Sequence, residues 1–236
     1  MYYLKGNKSS NSLEVEMAPG IEMQKSPSVV VDALRSLRFD NTFNPYIDIC
    51  PLYDQDVSPD VRSQILIDML KAAERVEVDA IWIGRDLGYR GGRRTGLALT
   101  DDLHFSEHLA RWRVLRQRPA SGHLVAERTA AVIWQMLRQI DSNVFLWNVF
   151  PLHPYQSGSE FSNRAHNAKE RKAGEAILKL ICELVRPKRL IGVGNDAAQA
   201  AKKVACGKVE VFHVRHPSYG GQTAFCNQIK EIYSLI

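Results

Sequence analysis

Residues 84–102 read Gly84-Arg85-Asp86-Leu87-Gly88-Tyr89-Arg90-Gly91-Gly92-Arg93-Arg94-Thr95-Gly96-Leu97-Ala98-Leu99-Thr100-Asp101-Asp102. They follow Ala80-Ile81-Trp82-Ile83, a short apolar run of strand-favouring residues bounded by Asp79 and Gly84. This pairing predicts a strand that ends by delivering Asp86 into a glycine-rich loop. Five glycines let that loop take positive φ and let another molecule's backbone come close, and four arginines around one carboxylate suit an anion. By itself the loop reads equally as a solvated surface segment, so the rest of the chain decides.

Downstream, strand and helix patterns alternate. Helical periods cover roughly Leu103–Gln117 and Val125–Ile140, the second with Ala130, Ile133, Trp134, Leu137 and Ile140 on one face. The apolar run Asn143–Val149 predicts a strand buried on both faces, with Asn148 near its end. A helix over Ala168–Arg186, ended by Pro187, leads to a strand at Arg189–Val193, a turn at Gly194 and Asn195, and a small-residue helix to Val204. The fourth strand, Val209–Val214, runs into Arg215-His216-Pro217-Ser218-Tyr219-Gly220-Gly221, and a last helix starts near Thr223. Upstream, helices are expected over Val29–Leu37 and Asp60–Val76, the latter capped by Ser58 or Asp60 with Pro59 near its start. Residues 1–27 have no sustained period and read as a flexible tail, leaving 28–236 as one domain.

Strands separated by helical crossovers predict a three-layer α/β/α fold with a central four-stranded parallel sheet, and such sheets bind ligands at the carboxyl ends of their strands. The loops after the first, second and fourth strands would bring Asp86, Asn148 and His216 to that one edge.

Composition narrows the class. With 236 residues, 45% hydrophobic and 24% charged, the chain can bury one sizeable core. No apolar run approaches a bilayer span and no long apolar leader opens the sequence, so no membrane partner and a cytoplasmic location are expected. Cys50, Cys182, Cys206 and Cys226 form no Cys-x-x-Cys pair, which argues against a zinc ribbon, a disulfide framework or an iron-sulfur cluster. Buried, reduced thiols and no metal or cofactor are expected. A formal charge of +5 permits a polyanionic partner.

From about residue 79 to the end, these features resemble the uracil-DNA glycosylase superfamily, and within it a divergent bacterial branch without an iron-sulfur cluster. Gly84-Arg85-Asp86-Leu87-Gly88 resembles the superfamily's first motif, and the arginine and glycine stretch through Thr95 and Gly96 is similar to the bacterial branch. Asn148 resembles the uracil-reading asparagine, Ile191-Gly192-Val193-Gly194 a third-strand turn of single-strand-selective relatives, and His216-Pro217-Ser218 the start of the second catalytic motif. The pattern departs at Leu87, where proline is usual, and at Arg85, where glutamine or glutamate is usual. It departs also at Leu99, where an aromatic ring normally stacks on the base, and at Gly88, where the prototype has a tyrosine excluding the thymine methyl.

The resemblance implies a monofunctional enzyme that flips uracil out of single- or double-stranded DNA and hydrolyses its N-glycosidic bond, acting as a monomer without a cofactor. It assigns Asp86 to the oxocarbenium-like sugar and the attacking water, and His216 to the leaving base. Arg85, Gly88, Tyr89, Leu99 and Asn148 would line the base pocket. Arg90, Arg93 and Arg94 would meet phosphates, while Ser218, Tyr219 and Gly220 would form the loop entering the vacated stack. Quieter readings stay open: Asp86 as a loop cap or ion-pair partner, Asn148 and His216 as backbone hydrogen bonders, and His153 and His213 as structural. Two other classes also stand, a non-catalytic abasic-site or single-stranded DNA-binding module and a nucleotide-binding enzyme, although no Gly-Lys-Ser/Thr follows the glycines.

Overall fold

The structure, a computed structural model, describes residues 25–235. In chain order they form α1 (Pro27–Ser36), β1 (Thr42–Phe43), α2 (Ser58–Ala73), β2 (Ala80–Asp86), α3 (Gly92–Thr95), α4 (Phe105–Arg111) and α5 (Arg128–Leu137). Then follow β3 (Val144–Phe150), β4 (His153–Pro154), α6 (Ala168–Val185), β5 (Arg189–Val193), α7 (Asn195–Ala205), β6 (Glu210–Val214) and α8 (Gln222–Tyr233).

Four strands form one parallel sheet in the order β3-β2-β5-β6. Side chains alternate across it as the strand period demands. Ile81, Ile83, Phe145, Trp147 and Leu190 pack with α1, α2, α6 and α7, while Ala80, Trp82, Leu146 and Ile191 pack with α5 and α8. Burial on both faces is why these strands read as unbroken apolar runs. The expected three-layer α/β/α arrangement is therefore present. The chain leaves β2 toward β3 on one side and returns to β5 on the other, so the connections diverge between β2 and β5, where open sheets of this kind leave a crevice for ligands.

Several boundaries differ from the sequence expectation. The helix expected over Leu103–Gln117 is only α4, because Arg113 takes a left-handed φ of 56° and turns the chain away. The helix expected from Val125 starts at Arg128. Asp102 Oδ2 takes the Val125 N–H at 3.1 Å and Asp101 Oδ2 takes that of Glu127 at 2.6 Å, holding the entering chain outside the helix. Neither Ser58 nor Asp60 caps α2; the Ser58 hydroxyl donates to Pro119 O at 2.7 Å instead. The antiparallel pair of β1 and β4 was too short to show a period. Most of the expected tail, residues 1–24, lies outside the described residues, and Ser26 accepts from Val29 N as the cap of α1.

All four cysteines are free; Cys50 is buried as expected, but Cys206 is exposed. Among the described residues no helix is long and apolar enough to cross a membrane, and no group of three or more His, Cys, Asp or Glu is placed to hold a metal.

Candidate active site

Asp86 ends β2, and its carboxylate is held from two sides. Arg85 Nε donates to Oδ2 at 2.7 Å, and His166 Nδ1 meets Oδ1 at 2.5 Å. The side chains of Asp86 and His166 are only 7% and 5% exposed. His166 was not singled out from sequence, yet a signal existed. It immediately precedes Asn167, which accepts from the backbone of Lys169 and Glu170, while Glu170 reaches back to Asn167 N at 2.7 Å. That capping box starts the helix following β3. A helix following a parallel strand begins at the strand's carboxyl edge, so His166 had to stand near Asp86.

Asn148 lies opposite Gly84 in the β2–β3 register, on the adjacent strand. It is 1% exposed, and neither its Oδ1 nor its Nδ2 has a hydrogen-bond partner. A buried amide left with both a donor and an acceptor unpaired loses about 1–3 kcal/mol for each group. Gly84 is what admits it, since a methyl there would collide with Asn148 Oδ1 and stand 2.9 Å from the Leu99 side chain. Leu99, at φ 54°, is thereby packed beside the orphaned amide.

His216 follows the edge strand β6. Its Nδ1 accepts from Ser218 N–H at 3.1 Å and pairs with the Ser218 hydroxyl at 2.8 Å, an arrangement that leaves the proton on Nε2. Burial, with the charges of Arg85 and Arg215 beside it, holds the imidazole below its ordinary range, so it is neutral near pH 7. Arg85 thus bears on both Asp86 and His216. Gly194, at φ 92°, ends β5 with its missing Cβ 3.3 Å from that of His216. Asp86, Asn148 and His216 are gathered at the carboxyl edge.

Tyr219 is 97% exposed at φ 50° on the loop tip after His216, next to Gly220 at φ 75°. Arg90 is exposed and lies 5.6 Å over the half-buried Tyr89 ring. Gly88 packs beneath the Glu127 carboxylate.

Arg93 and Arg94 correct the sequence reading, because neither is available to a phosphate. Arg93, 1% exposed, donates to Tyr53 Oη at 3.0 Å, His153 Nδ1 at 3.2 Å and Glu160 O at 3.0 Å, with its guanidinium 3.9 Å over the Phe43 ring. Arg94 pairs with buried Asp102 at 2.7 Å and lies 4.3 Å over the Tyr53 ring. The exposed cations at this edge are instead Arg85, Arg90 and Arg215. His153 is indeed structural: burial and then Arg93 push it down to about 4, and its Nε2 bonds Ser162 O at 2.9 Å.

This fold and this edge define an α/β/α protein with a carboxylate, an unpaired amide and a neutral imidazole at one crevice. The Uracil DNA glycosylase superfamily matches the chain over residues 77–234, and the chain belongs to that superfamily. Among solved structures it is similar to that of wild-type Pedobacter heparinus SMUG2, with a TM-score of 0.53 and 14% identity over 89% of this chain and 97% of the other. No curated protein sequence matches it.

Proposed function

We propose that the protein is a monofunctional DNA glycosylase that removes uracil and leaves an abasic site. The observation that carries this reading is Asn148, a buried amide whose donor and acceptor are both unpaired in the free protein. A lactam edge, with an N–H beside a carbonyl, satisfies both; cytosine presents a ring nitrogen and an amino group there and leaves groups unpaired.

The chemistry follows from the neighbours. The N-glycosidic bond breaks with its electron pair going to the base, so the sugar becomes cationic while the base becomes anionic. Asp86 faces the cationic side, stabilises that charge, and takes the proton of the water whose oxygen adds to the sugar carbon. His166 and Arg85 fix the carboxylate for that task. His216, neutral with its proton on Nε2, donates to the base oxygen where negative charge develops. Leu99 supplies an apolar surface for the base in place of an aromatic ring. Everting a nucleotide costs a few kcal/mol, and Tyr219, exposed on its loop, enters the vacated stack.

The test is release of base from an oligonucleotide carrying one uracil, read after alkaline cleavage of abasic sites. His216→Ala is expected to slow that release by about 10² to 10³, the worth of one donor to a developing oxyanion. Equal release by wild type and variant would remove His216 from this role. For phosphate contacts, Arg90→Ala is expected to weaken DNA binding and reduce its salt slope by roughly one. Arg93→Ala should leave the salt slope unchanged and lower the melting temperature, since it removes a side chain bonded in the interior. Anisotropy titrations across salt concentrations, with thermal melts, separate the two.

A further inference from the structure

Glu127, the residue before α5, does not use its side chain to cap that helix. The carboxylate lies instead against the glycine-rich loop, with Oε1 2.9 Å from where a Cβ of Gly88 would stand, and a methyl at Gly91 would collide with it. Two glycines of the loop therefore make room for this one side chain. Its backbone is fixed, because Asp101 Oδ2 takes the Glu127 N–H at 2.6 Å while Asp101 Oδ1 pairs with His104 Nδ1 at 2.6 Å. Yet the carboxyl group itself accepts no hydrogen bond among the described residues. The charged groups facing it are Asp101, which repels a second negative charge, and Arg90, which attracts it.

A desolvated carboxyl with no internal partner, admitted by two glycines of the site loop, is placed to meet something outside the chain. It also adjoins the base pocket. The missing Cβ of Gly91 is 3.2 Å from Thr100 O, and the side chain of neighbouring Leu99 packs at Gly84 beside Asn148. Glu127 and Asn148 thus flank the same Leu99–Thr100 bend.

We infer that Glu127 is a second reader of the everted base, donating a hydrogen bond from its neutral carboxyl to an acceptor that Asn148 leaves free, and that it extends the accepted bases to lactam purines. This rests on the glycosylase reading above. A lactam purine such as hypoxanthine carries the same N–H and carbonyl edge as uracil, and next to that carbonyl it carries N7, an acceptor. At the corresponding edge a pyrimidine has only C5–H. Burial, reinforced by Asp101, raises Glu127 to about 7 against the opposing pull of Arg90, so near neutral pH much of the carboxyl is protonated and able to donate. Donation is complete below that value and is lost as pH rises through it.

The experiment compares wild type, Glu127→Ala and Glu127→Gln in single-turnover release of hypoxanthine and of uracil from otherwise identical oligonucleotides between pH 5.5 and 8.5, with thermal melts as the folding control. Glu127→Ala should reduce hypoxanthine release about tenfold more than uracil release, the worth of one hydrogen bond. Glu127→Gln keeps a donor at every pH, so it should restore hypoxanthine release and abolish the wild-type decline above pH 7. Equal effects on both bases, or none, in a folded variant overturn the inference. So does a wild type that releases uracil but not hypoxanthine. A wild type that releases neither base overturns the glycosylase reading itself, and the inference with it.

Discussion

Asp86→Asn is expected to reduce single-turnover uracil release by about 10² to 10⁴, the range for losing a positioned proton acceptor, without lowering the melting temperature. The size follows from two separate losses. Asparagine carries no charge to stabilise the cationic sugar, and its amide oxygen is too weak a base to take the proton of the attacking water. Its shape is nearly that of aspartate, and one amide oxygen still accepts from His166 or Arg85, so the fold at the end of β2 has no reason to change. His166→Ala, by contrast, leaves the charge and removes only one of the donors orienting it, so its effect should be smaller and should fall on the chemical step rather than on DNA binding. Near-wild-type release by Asp86→Asn would sink the assignment of the water-activating group and return Asp86 to the role of an ion-pair partner in the loop.

What the sequence revealed of this site follows from which residues announce themselves. Asp86, Asn148 and His216 each stand at or just past the end of an apolar strand, so strand prediction and the carboxyl-edge rule placed them together before any coordinates were known. His166 and Glu127 are further from any strand and were placed by helix starts, a signal that says where a chain turns but not what its side chain will face. The capping box at Asn167 and Glu170 was readable; the meeting of His166 with Asp86 is long-range. Arginines mislead for the opposite reason. Arg93 and Arg94 sit in a loop that looks basic and exposed, yet the loop folds inward and its short helix α3 turns both guanidiniums onto Tyr53, Phe43 and Asp102. Long, planar side chains pair with buried aromatic rings and carboxylates as readily as with phosphates, and composition alone does not separate the two. The glycines were read as loop freedom, whereas several of them act by the space they leave: Gly84 for Asn148, Gly88 and Gly91 for Glu127.

The same inward folding makes Arg62 the residue on which the site loop most depends, and Arg62→Ala is expected to destabilise the protein by about 3–5 kcal/mol, the cost of leaving one buried charge without its partner. Arg62 lies on α2, and its side chain and that of Asp54 are both 0% exposed. The pair is bidentate: Nη2 meets Asp54 Oδ1, and Nη1 donates to Oδ2 at 3.1 Å. Asp54 Oδ2 also accepts from Cys50 N at 2.9 Å, which does not replace a counter-charge. The third arm reaches the site, for Arg62 Nε donates to Arg94 O at 2.8 Å, and the Arg62 stem lies against Gly96, at φ 74°, where the glycine-rich loop turns. Truncation therefore strands a carboxylate in the interior and also releases the α3 segment. For a chain of this length the shift in melting temperature should be roughly 6–20 °C. Replacing both partners with apolar residues, Arg62→Met with Asp54→Leu, should recover much of the loss, because the larger share of the penalty is the uncompensated charge and not the lost attraction. A melting temperature within a few degrees of wild type for Arg62→Ala would show that Asp54 finds water or another cation. The double variant separates that from a pair that contributes nothing: only in the first case should it raise the melting temperature above that of the single one.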